Sequence, residues 1–382
     1  MSGLLRFTGP AEGLSAADRR ALMERTLPGA GDVRESVAAI IASVRERGDA
    51  AVKELTSRFD RVDLASLEVP RAEARAALDR LEPELRRAFE RGVRNIETAH
   101  RAWMPGGATV ETEPGIRLER RPYPLRRVGV YAPGGRAAYP TSVMMGVIPA
   151  KVAGVGEVVL CSPAGADGRP SAAVLAAAEL AGADRIFAIG GAQAIAAMAW
   201  GTESVPRVDR IVGPGNAWVM EAKAQLASRV SIDSPAGPSE ILVVADRTAD
   251  AERIAAELIA QAEHDPSAVV VAVVIDAPEL SKGVIAAVER RCAESPRREI
   301  ISQSLAGLGA VLDVRTRDEA AAFATEFAAE HLLLAFEGAA DATDAFATAG
   351  TVFVGAASSV AFGDYMTGSN HVLPTAGLAR SY

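Results

Sequence analysis

Three of the four histidines in this 382-residue chain lie close to other side chains that could bind a metal or move a proton. The stretch IAQAEHDPS carries Gln261 and His264, which are three residues apart and therefore share one face of a predicted helix near its end. An amide oxygen and an imidazole nitrogen can bind a divalent metal, although glutamine is an uncommon ligand. By itself the pair leaves open an ordinary polar helix end.

Glu330 and His331 are adjacent in AAEHLLLAF, where a helical pattern changes into a strand pattern. Neighbouring side chains point in different directions, so the two groups can address two atoms of one substrate. A carboxylate beside an imidazole at such a junction is typical of a proton-transfer pair. A charged helix end is the alternative interpretation.

The stretch FGDYMTGSNHVLPT adds Asp364 and His371, which are separated by a glycine-containing segment and followed by Pro374. Such a stretch suits a binding loop better than a regular element. Histidines in loops and junctions favour metal binding or general base catalysis over core packing. Together these residues predict a metal-assisted enzyme.

Three glycine-containing turns lead from predicted strands into predicted helices: VYAPGGRAAYPTS, AIGGAQAIA and IVGPGNAWV. Glycine permits a ligand to approach the backbone closely, and free N–H groups at a helix N-terminus favour an anion such as a pyrophosphate. The GxGxxG fingerprint is absent from the sequence, and each turn alone could simply redirect the chain. Three such turns in one module favour a nucleotide-like cofactor.

The elements that must position these residues follow from the hydrophobic pattern. Residues 1–32 are predicted to form an irregular arm with a short helix, and residues 32–103 show the spacing of amphipathic helices. After residue 121, apolar runs of strand length alternate with alanine-rich helical stretches, and the segment 233–239 separates two such modules. The predicted fold is α/β, with two Rossmann-like modules of mostly parallel sheets and an N-terminal helical segment.

The composition excludes several classes of function. The net charge is −8 at pH 7 and no Lys/Arg-dense block occurs, which argues against a nucleic-acid partner. The sequence has neither a secretion signal nor a run of about 18 apolar residues, so we expect no membrane association. Cys161 and Cys292 lie far apart and outside any metal-binding pattern, as in a reduced, soluble, cytoplasmic protein.

Seven segments resemble, in this order, the signature segments of the histidinol dehydrogenase family: YAPGGRAAYPTSVMMGVIPAKVAG, IGGAQAIAAMAWGT, VDRIVGPGNAWVMEAK, IDSPAGPSE, QAEHDP, AAEH and GDYMTGSNHVLPT. The similarity extends from about residue 20 to the last residue. The resemblance implies a zinc-dependent homodimer that oxidises L-histidinol through L-histidinal to L-histidine. Two NAD+ are reduced in this last stage of L-histidine biosynthesis.

The resemblance also implies roles for individual residues. Glu330 and His331 are the expected catalytic pair, in which His331 takes the hydroxyl proton and Glu330 activates the water that attacks the aldehyde. NAD is expected near Tyr131, Gln193 and Asn216. The expected zinc ligands are Gln261, His264 and Asp364. The expected substrate contacts are Ser239, Gln261, His264, His331, Asp364 and His371.

The domain boundaries follow from the pattern and the resemblance together. We expect an N-terminal arm over 1–32, a zinc-binding catalytic α/β domain from 33–127 with 239–376, a Rossmann-like NAD-binding domain over 128–238, and a truncated C-terminal end over 377–382. In the family the chain continues past GLARSY into a helical tail that supplies a further zinc-binding histidine and a substrate-binding glutamate to the partner subunit. Because both are absent here, we expect weaker zinc binding and a less complete shared site.

Two alternatives stay open beside this function. One is an enzyme of the same family for another amino or sulfonated alcohol, because the tail glutamate contributes to substrate choice. The other is a catalytically weakened paralogue that binds NAD or a partner protein without turnover. The presence of Glu330, His331 and Asp364 argues against this last alternative.

Overall fold

The computed structural model describes residues 3–25, 30–134, 138–234 and 237–381. Their contacts divide the chain into two compact units, and each unit has its own six-stranded sheet. The first unit contains Met1–Pro28, Ser234–Phe362 and Leu373–Tyr382. The second unit contains Gly29–Asp233 and Gly363–Val372.

Strands and helices alternate along most of the chain, as the hydrophobic pattern predicts. The strands are β1 Phe7–Pro10, β2 Glu68–Val69, β3 Ala108–Glu113, β4 Ile116–Arg120, β5 Arg127–Tyr131, β6 Glu157–Ser162, β7 Arg185–Ala188, β8 Arg210–Val212, β9 Ser231–Ile232, β10 Glu240–Asp246, β11 Val269–Ile275, β12 Gly309–Val314, β13 His331–Ala335 and β14 Thr351–Val354. The α-helices are α1 Ala16–Glu24, α2 Ala30–Arg47, α3 Asp49–Asp60, α4 Arg71–Asp79, α5 Pro83–Ala102, α6 Pro140–Val152, α7 Ala172–Ala181, α8 Gly191–Trp200, α9 Ala217–Leu226, α10 Ala251–Ala262, α11 Pro278–Glu294, α12 Arg298–Leu308, α13 Arg317–Phe327 and α14 Ala361–Tyr365. None of the helices in the described ranges has both the length and the apolar character needed to cross a lipid bilayer.

The first unit is built on a parallel sheet with the strand order β1-β12-β11-β10-β13-β14. The central strands β10 and β11, EILVVAD and VVVAVVI, are almost continuously apolar because both of their faces are covered. Side chains on the two faces form two separate cores. Apart from the edge strand β1, this is a doubly wound sheet whose strand order reverses between β10 and β13.

The second unit repeats this topology. Its sheet has the order β2-β7-β6-β5-β8-β9, in which the short edge strand β2 is antiparallel to β7 and the other pairs are parallel. Strand order reverses between β5 and β8, whose carboxyl ends flank the crevice where doubly wound sheets bind ligands. The predicted α/β fold with mostly parallel sheets is thus confirmed.

Several short or exposed strands escape the hydrophobic pattern, among them β1 and the hairpin of β3 and β4. β1 (FTGP) lies in the predicted irregular arm, yet it joins the first sheet parallel to β12. It contains glycine and proline, and proline is tolerated on an edge strand, so its sequence carries no strand signal. The hairpin of β3 and β4 is exposed along its whole length and therefore lacks the alternation of a half-buried strand.

The contacts also divide the chain differently from the predicted domains. The predicted catalytic domain joins residues 33–127 to 239–376, whereas the contacts group residues 33–127 with residues 128–233. The reason is that α2 packs on α8 and α9, α4 packs on α7, and α5 packs on α6. The helices α2 to α5 therefore pack on the helices of the second unit's α/β module. The catalytic and NAD-binding roles of the predicted domains stay predictions.

Candidate active site

Glu330 and His331 lie at the amino end of β13, and both side chains are buried. Parallel pairing of β13 with β10 brings them beside Glu240, the first residue of β10. Oε2 of Glu330 accepts a hydrogen bond from the Glu240 N–H at 2.8 Å and lies 3.5 Å from Nδ1 of His331. The structure thus brings the predicted acid and base together in a water-poor environment.

Burial determines the protonation state of His331. Desolvation is the main effect that lowers the pKa of His331, to about 4. The hydrogen bond with the Glu240 carbonyl raises this pKa, and the nearby His264 lowers it slightly. Nδ1 of His331 lies 3.0 Å from that carbonyl oxygen, which can only accept, so Nδ1 carries the proton. The imidazole is neutral at pH 7, and Nε2 keeps the lone pair that a general base needs.

Gln261 lies in the last turn of α10 and His264 lies just beyond the end of that helix, where its N–H donates to the Gln261 carbonyl at 3.2 Å. The Gln261 side chain is buried, whereas His264 is exposed. Desolvation by the protein atoms around the ring lowers the pKa of His264, with Glu263 opposing this effect and Arg297 adding to it. A neutral imidazole and an amide oxygen are therefore available as nitrogen and oxygen donors of the kind that zinc accepts.

The predicted zinc ligands are divided between the two units. Gln261 and His264 belong to the first unit, and Asp364 belongs to the second. Within the described ranges, no group of three or more histidine, cysteine, aspartate or glutamate residues is arranged to hold a metal ion. One of the three predicted zinc ligands is Gln261, and glutamine does not belong to these four residue types.

Asp364 lies in α14 and His371 in the loop after it, and both belong to the second unit. Oδ1 of Asp364 is 3.9 Å from Nδ1 of His371, and Nε2 of His371 is 3.1 Å from Oγ of Ser142 in the first turn of α6. Gly368 has a φ of +94°, and a Cβ there would lie 2.4 Å from the Asn95 carbonyl oxygen of α5. Glycine at this position therefore allows the loop to pack closely against α5.

The three predicted NAD contacts lie at the carboxyl edge of the second unit's sheet. Tyr131 ends β5, and its hydroxyl oxygen accepts a hydrogen bond from the Gly191 N–H at 3.1 Å. Burial raises the pKa of Tyr131 to about 12, so the hydroxyl stays protonated. Gln193 is buried in the first turn of α8, and the Asn216 side chain caps the N-terminus of α9. Helix N-termini beside a point of strand reversal are suited to bind a pyrophosphate.

The turn after β8 depends on a glycine. Gly213 has a φ of +119°, and a Cβ there would lie 2.0 Å from the Tyr131 carbonyl oxygen. Nζ of the buried Lys223 donates to the Gly213 carbonyl at 2.8 Å, and Oδ2 of Asp233 accepts the Gly213 N–H at 2.7 Å. These contacts fix the IVGPGNAWV turn beside Tyr131. In the VYAPGGRAAYPTS turn, residues 135–137 lie outside the described residues.

Two residues beside the acid/base pair are absent from the sequence predictions. Arg25 and Glu240 form an ion pair whose side chains are completely buried, with 2.7 Å between Nε and Oε1. A glutamate directly after Ser239, at the start of an apolar strand, was an available signal for Glu240. Arg25 is 215 residues away along the chain and has no such signal.

Comparison with known proteins adds a separate observation. The sequence profile of one family, described as "Histidinol dehydrogenase", matches residues 23–382. A histidinol dehydrogenase of Methanosarcina mazei is 46% identical over 97% of this chain and 85% of its own length. One of Natronomonas pharaonis is 50% identical over 96% of this chain and 86% of its own. The crystal structure of histidinol dehydrogenase from Elizabethkingia anophelis superposes with a TM-score of 0.94 at 34% identity, covering 100% of this chain and 87% of that one.

Proposed function

The chain belongs to the histidinol dehydrogenase family, and on this premise we propose that it oxidises L-histidinol, through L-histidinal, to L-histidine and reduces two NAD+. The observation that carries the proposal is the buried pair of Glu330 and His331, in which the imidazole is neutral. The crevice around Tyr131 and Asn216 supports NAD+ as the hydride acceptor. The reaction completes L-histidine biosynthesis.

In the first oxidation, Nε2 of His331 takes the proton of the substrate hydroxyl while hydride leaves the same carbon for NAD+. The products of this step are L-histidinal, NADH and a protonated imidazole. Because the pKa of His331 is about 4, the imidazole gives its proton up to solvent and is neutral again for the next step. A positioned base of this kind contributes about 10²–10⁴-fold to the rate.

In the second oxidation, the carboxylate of Glu330 takes a proton from water while the water oxygen attacks the aldehyde carbon. Glu330 then passes this proton to the aldehyde oxygen, which completes the hydrate. The resulting hydrate loses a hydride to the second NAD+ and a hydroxyl proton to His331, which leaves the carboxylic acid. Glu330 and His331 are adjacent and buried, so both proton transfers take place at one site that holds little water. His331 is thus the base of both hydride transfers, and Glu330 is the base of the hydration between them.

Gln261, His264 and Asp364 are the residues that would hold zinc. The neutral imidazole of His264 beside the buried amide of Gln261 supports this assignment, because zinc accepts nitrogen and oxygen ligands. Bound zinc would supply a fixed positive centre that orients the substrate against the acid/base pair. We propose Ser239 and His371 as further substrate contacts, together with the three zinc ligands and His331.

Tyr131→Phe should weaken NAD+ binding about 5- to 10-fold, because a single hydrogen bond contributes about 1 kcal/mol. The substitution removes the hydroxyl that accepts the Gly191 N–H and leaves the ring packed at the end of β5. Isothermal titration calorimetry with NAD+ measures the change. Tyr123→Phe is the matched control, because Tyr123 is 76% exposed. An NAD+ affinity equal to wild type in Tyr131→Phe would contradict the assignment.

We propose a homodimer whose interface includes the hairpin of β3 and β4. Val110 and Leu118 are cross-strand partners, and Ile116 follows on the same face of the hairpin. These three side chains are 54%, 54% and 48% exposed, respectively. A two-stranded hairpin is marginally stable alone in water, and an exposed apolar face marks an interaction surface.

Leu118→Lys should weaken dimerisation about tenfold or more, because a buried leucine contributes about 1.5–3 kcal/mol. Thr109→Lys is the control, because Thr109 pairs with Glu119 on the other face of the same hairpin. Size-exclusion chromatography with light scattering over a range of concentrations measures both dissociation constants. If the two variants dimerised as tightly as wild type, this hairpin would not belong to the interface.

A single assay tests the proposed function. Purified protein supplied with zinc should form two NADH for each L-histidinol consumed, and a chelator should stop the reaction. Equal or faster NADH formation from an amino alcohol without an imidazole would favour another substrate. Binding of NAD+ without NADH formation from any alcohol would identify a non-catalytic relative.

The cytoplasm is the compartment that we propose for this enzyme. Both cysteines, Cys161 and Cys292, are free thiols and both are buried. Free thiols persist in a reducing compartment. Burial raises the pKa of Cys161 far above its usual value, so this thiol is unreactive.

A further inference from the structure

Glu240 holds the acid/base pair of the first unit with both its main chain and its side chain. Its N–H donates to Oε2 of Glu330 at 2.8 Å, and its carbonyl oxygen lies 3.0 Å from Nδ1 of His331. Its own Oε2 accepts the Glu330 N–H at 3.3 Å. One buried residue thus makes three hydrogen bonds to the two residues to which we assign proton transfer.

The second carboxylate oxygen of Glu240 joins two further segments to this pair. Oε1 accepts hydrogen bonds from Nε of Arg25, directly after α1, and from the N–H of Ala376, both at 2.7 Å. The Arg25 guanidinium also lies over the ring of Phe327, with Cζ 4.0 Å from the ring centroid. The carboxylate therefore fixes the end of α1, the start of β10 and the loop at residue 376 relative to one another.

Stabilisation of the fold alone does not explain this arrangement. Two desolvated charges cost free energy that an apolar pair of similar size would avoid. Nη2 of Arg25 is also buried, and it finds no hydrogen-bond partner in the part of the chain that the structure describes. What the pair supplies is a fixed carboxylate that accepts two hydrogen bonds of 2.7 Å, from Arg25 and Ala376, and one of 3.3 Å from the Glu330 N–H.

We propose, on the basis of the function proposed above, that Glu240 is a positioning residue, anchored by Arg25, that keeps Glu330 and His331 in the geometry for proton transfer. It acts through these two residues and touches neither substrate nor NAD+. A misplacement of about 1 Å in a reacting group can cost about 10²-fold in rate. Loss of Glu240 therefore lowers kcat and leaves NAD+ binding and zinc content unchanged.

Glu240→Gln tests this role, because it keeps the shape of the side chain and replaces one acceptor oxygen by an NH2 group. We expect kcat with L-histidinol to fall about 10- to 100-fold, with KM for NAD+ and zinc content within about twofold of wild type. Ser281→Ala is the matched control: it removes another buried side-chain hydrogen bond of the first unit, to Asp313, and should leave kcat unchanged. Wild-type kcat in Glu240→Gln would overturn the proposal.

A second readout separates this inference from the proposed function. The chain has four histidines, so ¹⁵N-histidine labelling gives few imidazole signals to assign. We expect the Nδ1–H tautomer of His331 in the wild type and shifted His331 signals in Glu240→Gln, with those of His100 unchanged. If the wild type formed no NADH from L-histidinol, the proposed function would fail, while unchanged His331 signals in Glu240→Gln would overturn this inference. If Glu240→Gln does not fold, Arg25→Lys takes its place, because it keeps the charge but loses the guanidinium geometry. The same two measurements, kcat and the His331 signals, then test the proposal.

Discussion

His331→Asn is expected to lower kcat for L-histidinol oxidation by about 10²–10⁴-fold, because it removes the base that takes the hydroxyl proton. The main-chain partner of Nδ1, the Glu240 carbonyl, can still be reached by the asparagine amide, so the protein should stay folded. Steady-state NADH formation measures the change, and circular dichroism verifies the fold. KM for NAD+ should stay within about twofold of wild type, because the proposed NAD contacts lie in the second unit.

His100→Asn is the matched control for this experiment. Nδ1 of His100 also lies close to a main-chain carbonyl oxygen, that of Ile96, at 2.9 Å. The same substitution there removes the same chemical group in α5, which belongs to the second unit, and should leave kcat unchanged. A His331→Asn variant with wild-type turnover would exclude His331 as the base.

Glu330→Gln separates the two oxidations. With L-histidinal as the substrate, kcat should fall about 10²–10⁴-fold, because the amide can no longer take a proton from water. The first oxidation relies on His331, so formation of the first NADH from L-histidinol should fall much less. Rapid mixing with L-histidinol and excess NAD+ resolves the two steps. An equal loss of rate in the two oxidations would contradict the separate roles proposed for Glu330 and His331.

His264→Ala is expected to abolish zinc binding and to lower kcat/KM for L-histidinol by at least about 10²-fold. A bound metal contributes several kcal/mol through orientation and charge stabilisation, and each 1.36 kcal/mol corresponds to about tenfold in rate. Elemental analysis of the purified variant measures zinc, and the NADH assay measures the rate. In the wild type, a chelator should cause the same loss, and added zinc should reverse it.

Gln261→Ala is a second test of the metal site, and Gln225→Ala is its matched control. Gln225 donates to the Arg34 carbonyl at 2.9 Å in the second unit, so its loss should affect neither zinc content nor rate. Gln261→Ala should lower zinc affinity, because it removes one oxygen donor. Full zinc content in both His264→Ala and Gln261→Ala would show that these residues are not ligands.

The fold class was predictable because buried parallel strands and their covering helices leave a strong pattern. EILVVAD and VVVAVVI are apolar on both faces, and this is a local property of the sequence. The strand β1 and the hairpin β3–β4 were not predictable, because an edge strand and a solvent-exposed strand bury too few side chains to show a period. The grouping of residues 33–127 with the second unit depends on helix packing, which leaves no local trace.

The candidate site shows the same contrast. Residues that are close in sequence, such as Gln261 with His264 or Glu330 with His331, are brought together by helix and strand geometry alone. The acid/base pair lies at the predicted helix-to-strand junction, but its contact with Glu240 through the pairing of β13 with β10 was not predictable. Ligand crevices of doubly wound sheets lie at the carboxyl ends of the strands, and the pair at the amino end of β13 departs from that rule. The NAD candidates follow that rule, since Tyr131 and Asn216 lie at the carboxyl ends of β5 and β8.

By itself the sequence determined the family, the α/β fold class and the residue types available for proton transfer, zinc and NAD, because motifs and hydrophobic periodicity are local. The tertiary structure alone decided the protonation state of His331 and the partners of Glu330. The pKa of a buried imidazole depends on how much water the surrounding chain excludes, and that chain comes from distant segments. Arg25 and Glu240 meet across 215 residues because the end of α1 and the amino end of β10 belong to the same unit, a contact that no spacing in the sequence records.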